Sequence, residues 1–148
     1  MKKALKRAKE VLKKYKISAA PINVMEIVKG ERLFLEQWRF KGRLKEVYLG
    51  DCIGIKQGLP CCERRELVAH ALGHHFLGDG NHCYYAARDH LVIKKQEQAA
   101  QIFAAYLLLP SSLLKKAKDM DISELADYFC VSEKFVKKRL MFDEVEKS

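Results

Sequence analysis

Glu66-Leu67-Val68-Ala69-His70-Ala71-Leu72-Gly73-His74-His75-Phe76-Leu77 is the stretch that decides how this chain reads. His70 and His74 are four residues apart, so on a helix both rings leave one face and can reach one metal ion. The helical pattern runs from about Cys61 to Leu77, with Gly78 and Gly80 as stop signals. Gly73 stands just before the second histidine, where a missing side chain lets another segment approach closely. The helix also ends within one turn of His74, as expected where the chain folds back over a site.

In the H-E-x-x-H pattern of zinc hydrolases, a glutamate after the first histidine is the general base for the metal-bound water. Here that position is Ala71. The spacing therefore predicts a scaffold that still holds zinc, with its catalytic position vacated. Such sites commonly take three protein ligands and leave one position for water. Glu97 is the best third candidate, because it opens a helix of otherwise apolar residues: Ala99, Ala100, Ile102, Phe103, Ala104 and Ala105. Gln101, one turn further on the same face, could orient a metal-bound histidine from outside. Asp79, His82, Cys83 and His90 compete for the third place. His75 points about 100° around the helix from His74 and reads as a rim residue.

Outward from this core, residues 2–16 repeat apolar positions with helical period, and a second short helix spans Val24 to Val28 before Gly30. Residues 33–40, 47–49 and 52–55 have strand composition, divided by Gly42, Gly50 and Asp51. Gly58 and Pro60 mark a loop, and residues 79–93 read as loop or short turns. An apolar helix follows from about Lys95 to Leu109 until Pro110. Ser111 or Ser112 can cap a short helix through Lys118. Helices at Ile122–Phe129 and Glu133–Met141 complete the chain. Helices, a small antiparallel sheet, then helices indicate an α+β fold. One domain is expected over 1–148: N-terminal helices in 1–30, the sheet in 31–57, metal-binding helices in 61–110 and a helical part in 111–148.

The 148 residues are 49% hydrophobic, enough for a core without disulfides, and no stretch approaches the ~20 apolar residues of a membrane span. Of the net charge of +9, residues 1–16 carry +7. The basic excess therefore belongs to one helix, which reads as a solvated face before it reads as an anion site. Cys52, Cys61, Cys62, Cys83 and Cys130 are odd in number and include no C-x-x-C pair. Free thiols in a reducing cytoplasm are the expectation.

Two stretches together resemble the ImmA/IrrE family of zinc metallopeptidases. Residues 66–77 look like the family's AHELGHxxL helix. Residues 97–110, Glu97-Gln98-Ala99-Ala100-Gln101-Ile102-Phe103-Ala104-Ala105-Tyr106-Leu107-Leu108-Leu109-Pro110, look like its ExxANxFAxxLLxP helix. The leading helix with Pro21-Ile22-Asn23-Val24 and the tail around Leu125–Ser132 and Val136–Leu140 are similar too. The resemblance implies a zincin-like fold, a zinc cofactor, Glu97 as the third ligand, and a cytoplasmic protease that cleaves a helix-turn-helix transcriptional repressor. This chain departs from the pattern at Ala71, at Gly78 where a further histidine is common, and at Ala99 and Gln101.

The C-terminal pattern also has helix-turn-helix spacing: Ala126 in the first helix, Cys130 where glycine is common, Ser132 as a cap and Val136 in the second helix. Lys134, Lys137, Lys138 and Arg139 would then face a phosphate backbone. Four acids balance four bases across residues 121–142, which argues for packing or protein docking over DNA. Trp38 and Phe40 could line a peptide groove, with core packing the commoner fate. The preferred reading is a zinc endopeptidase scaffold made inactive by Ala71. The alternative is a non-catalytic metal-binding regulator that binds DNA or a repressor protein.

Overall fold

The computed structural model describes residues 1–78, 82–85 and 94–147, with 82–85 and 94 known by backbone path alone. Its elements in order are α1 (Lys2–Lys14), α2 (Val24–Gly30), β1 (Phe34–Trp38), β2 (Leu44–Leu49), β3 (Cys52–Lys56), α3 (Cys61–Leu77), β4 (His82–Tyr85), α4 (Lys94–Leu108), α5 (Ser111–Lys116), α6 (Ile122–Phe129) and α7 (Glu133–Lys147). This is an α+β architecture, as the alternation of patterns predicts.

The four strands lie in the order β1-β3-β2-β4. The sheet is mixed rather than antiparallel throughout. β2 runs antiparallel to β3 and to β4, but β1 pairs parallel with β3, Phe34 opposite Cys52 and Trp38 opposite Lys56. The segment between β1 and β3 is itself β2, so the chain leaves and re-enters the sheet in one direction. β4 falls inside the stretch expected to be loop or turns; its four residues are too short to show a period of two.

α3 packs on α4 and lies across β2 and β3. Leu67 to His74 are buried without a break, so this helix is covered on every side. Gly73 makes that possible: a Cβ there would come within 2.9 Å of the backbone of Ala100 on α4. α1 lays Ala4, Ala8, Val11 and Leu12 inward against α4 and leaves its lysines outside. At the left-handed Gly78 (φ 74°), α3 stops as its sequence predicts.

The C-terminal helices are fastened to this centre. Arg139 is fully buried. Its guanidinium donates to the Leu109 carbonyl at 2.9 Å and to Ser111 Oγ at 3.0 Å, pairs with Asp143 at 2.6 Å, and lies 3.6 Å over the Tyr106 ring. Arg65 of α3 donates to the carbonyls of Ile22, Phe129 and Cys130, so one side chain caps the end of α6 and ties it to α3. Ser132 Oγ accepts from the Phe135 amide, the cap expected from sequence, and Cys130 takes the left-handed turn position at φ 55°. Pro110, not Ser111 or Ser112, occupies the N-cap position of α5. α7 runs six residues past Met141, because Phe142 is buried and the Arg139–Asp143 pair spans the next turn.

Candidate metal centre

The two histidines of α3 and the glutamate of α4 converge. His70 Nε2 lies 2.9 Å from Glu97 Oε2, and His74 Nε2 lies 3.0 Å from Glu97 Oε1. One donor atom from each residue falls within 4.8 Å of the others, a spacing that can hold one metal ion. His70 and His74 are buried and Glu97 is half-buried. Two imidazole nitrogens and a carboxylate oxygen form a donor set suited to zinc. Helical periodicity aims the rings together, and the close passage at Gly73 brings α4 near enough for Glu97 to reach both.

A fourth residue belongs to this cluster and was not expected from sequence. Glu46, in the middle of β2, is wholly buried, with Oε1 3.5 Å from His70 Nδ1. Burial alone would push the His70 imidazole down. The adjacent carboxylates of Glu46 and Glu97 outweigh it and raise the group to about 9. Binding of a metal through His70 would require the neutral imidazole. The signal for Glu46 was weak: one acid inside Leu44-Lys45-Glu46-Val47-Tyr48 reads as the solvent face of an alternating strand.

Two positions along β2, on the same face, Tyr48 meets the other side of α3. Its hydroxyl lies 2.8 Å from His75 Nδ1, while His75 Nε2 lies 2.8 Å from Glu31 Oε1. Lys14 of α1 and Tyr15 at its C-cap also donate to Glu31. His75 is thus a fixed member of a polar network joining α1, α2, α3 and β2, rather than a rim residue. Burial works against the Glu31 carboxylate, but its bonds to Lys14, Tyr15 and His75 prevail and hold it at about 2.

A cavity of about 440 Å³ opens beside His70, lined among others by Leu67, Gln101, Ala104, Phe135 and Lys138. Gln101 faces this space, and the carboxylate beside His70 Nδ1 is that of Glu46. Lys138 is half-buried; burial and Lys134 lower its ammonium from the ordinary value, and Glu97 opposes them. Ala71 is fully buried and offers no group that can take a proton. Arg139, expected to face phosphates, points into the core instead. Trp38 and Phe40 stack edge-to-face at 5.6 Å, and Trp38 covers Gly54, away from the cavity lining. His82 and Cys83 lie on the β4 backbone, whereas Asp79 and His90 lie outside the described residues. Among the described residues, no helix is long and apolar enough to cross a membrane.

A family model described as Peptidase_M78, IrrE N-terminal-like domain, matches residues 29–141. No curated protein matches the chain.

Proposed function

The chain belongs to the IrrE N-terminal-like peptidase family, and from that premise we propose that it is a zinc endopeptidase scaffold whose general-base position is vacated at Ala71. The observation that carries the proposal is the convergence of His70, His74 and Glu97 on one point. Zinc held there would polarise a peptide carbonyl and lower the pKa of a bound water. The residues of the chain supply the rest. His70 and His74 present Nε2 from one helical face, Glu97 closes the set from α4, and the adjoining cavity has room for a substrate side chain. Alanine at position 71 cannot move the proton that peptide hydrolysis requires, so the chain binds its target and does not cut it.

The resemblance of residues 66–77 and 97–110 supports a helix-turn-helix repressor as the protein bound, in the cytoplasm. The zero net charge of residues 121–142 and the buried Arg139 favour a packing or docking role for the C-terminal helices over DNA binding. A second reading, a metal-dependent regulator that acts by binding alone, is favoured by Ala71 itself.

The test is Ala71→Glu. One well-placed general base contributes roughly 10²–10⁴-fold in rate. Each form is checked for bound zinc and for folding by circular dichroism, then incubated with a candidate helix-turn-helix repressor. A chelator-sensitive fragment from Ala71→Glu alone supports the proposal. Equal cleavage by both forms assigns the base elsewhere. Zinc-loaded, folded protein that cuts in neither form favours the regulator.

A further inference from the structure

We propose that Glu46 is a positioning residue for the metal site: it fixes the ring of His70 and supplies the second negative charge that matches the site to a divalent cation. This rests on the metal-site reading above and extends it to a residue outside the metal-binding helices.

A carboxylate with no exposed surface is costly to bury unless a charge or hydrogen bond compensates. Glu46 sits on β2 between β3 and β4, opposite Ile55 and Tyr84, so the sheet backbone fixes its height. Its Oε1 faces His70 Nδ1 at 3.5 Å, while Nε2 of the same ring faces Glu97 at 2.9 Å. The ring is therefore held from both ends. A proton placed on Nδ1 would lie toward Glu46 and leave the Nε2 lone pair for metal, which is how a carboxylate behind a ligating histidine sets tautomer and basicity.

The charges agree with this role. A metal-binding imidazole is neutral, so His70, His74 and Glu97 together carry one negative charge. Glu46 brings the buried group to two, which a divalent ion cancels.

The experiment uses the full chain. Zinc affinity is measured by competition with a chromophoric chelator for the wild type, Glu46→Gln, Glu46→Asp and Tyr48→Phe. Tyr48→Phe is the control, because it alters the same strand face beside His75 and not His70. Glu46→Gln, nearly isosteric, is expected to bind zinc about 10–100-fold more weakly. Glu46→Asp, which keeps the charge and withdraws it by one methylene, falls between Glu46→Gln and wild type, and Tyr48→Phe stays within about twofold. Wild-type affinity in Glu46→Gln, or an equal loss in Tyr48→Phe, overturns the inference. In parallel, metal-free protein labelled with ¹⁵N-histidine is examined by NMR. A downfield His70 Nδ1–H resonance is expected in the wild type and is lost in Glu46→Gln and Glu46→Asp. Its persistence in both refutes the contact. If the wild type takes up no zinc, the metal-site reading fails, and the NMR arm still decides whether Glu46 holds the ring.

Discussion

Gly73 of α3 rests on the backbone of Ala100 of α4: a Cβ at position 73 would stand 2.9 Å from both the Cα and the carbonyl oxygen of Ala100. The contact sets the separation of the two helices that carry His70, His74 and Glu97. Gly73→Ala should improve helix propensity by about 1 kcal/mol, yet overpacking against backbone costs about 1–3 kcal/mol. A net loss is expected, with α4 displaced and zinc affinity reduced. Urea denaturation and chelator competition measure the two effects. A variant more stable than wild type with unchanged zinc binding would show that α4 yields freely.

His74→Ala should remove bound zinc, and Glu97→Ala should weaken binding severely, because each deletes one of three converging donors. Elemental analysis of dialysed protein is the check, with about one zinc per chain expected in the wild type. Zinc retained in both variants would place the metal elsewhere.

Acid should weaken the fold partly through Glu31. Its carboxyl is held at about 2 in the folded chain against an ordinary value of 4.5. The folded value is depressed, so the stabilisation is present above the ordinary value and is lost as pH falls from there toward 2. Glu31→Gln should be less stable than wild type at pH 7 and should lose less stability between about pH 4.5 and 2. Urea midpoints across that range give the comparison; parallel curves would deny Glu31 the role.

Arg139→Met keeps volume but leaves Ser111 and the Leu109 carbonyl without the guanidinium donor and Asp143 with only the Tyr106 hydroxyl. Removing one partner of a buried pair costs about 3 kcal/mol, which for a chain of this size lowers Tm by roughly 5–10 °C. Differential scanning calorimetry reads this directly, and an unchanged Tm would mean that apolar packing and the Tyr106–Asp143 hydrogen bond hold α7 without the guanidinium.

Lys137→Glu should leave duplex DNA binding unchanged, because wild-type binding at moderate salt is itself expected to be negligible. Fluorescence anisotropy with labelled duplexes is the measurement. Sub-micromolar, sequence-selective binding abolished by the substitution would restore the helix-turn-helix reading.

Much of this was legible because it is local. The i,i+4 histidines, the left-handed stop at Gly78, the small Gly73, the Ser132 cap and the turn at Cys130 each follow from side chains within a few residues of one another. Glu97 could be picked out because a charge at the edge of so apolar a helix needs a partner. What escaped depends on pairing across the chain. Glu46 looks like a surface acid until β2 is flanked by β3 and β4 with α3 laid over it. Arg139 looks like a phosphate contact until Tyr106 and Asp143 close around it. The parallel pairing of β1 with β3 has no signature in either strand, because it is set by the hairpin that β2 makes between them.

The three carbonyls held by the Arg65 guanidinium have a consequence for how the molecule opens. Ile22 precedes α2, Phe129 and Cys130 end α6, and Arg65 itself lies on α3. Fraying of α6 would strip acceptors from a side chain anchored on the helix that carries His70 and His74. The C-terminal helices and α3 therefore open as one cooperative unit, and slow amide exchange in α3 extends into α6 instead of fading toward the chain's end.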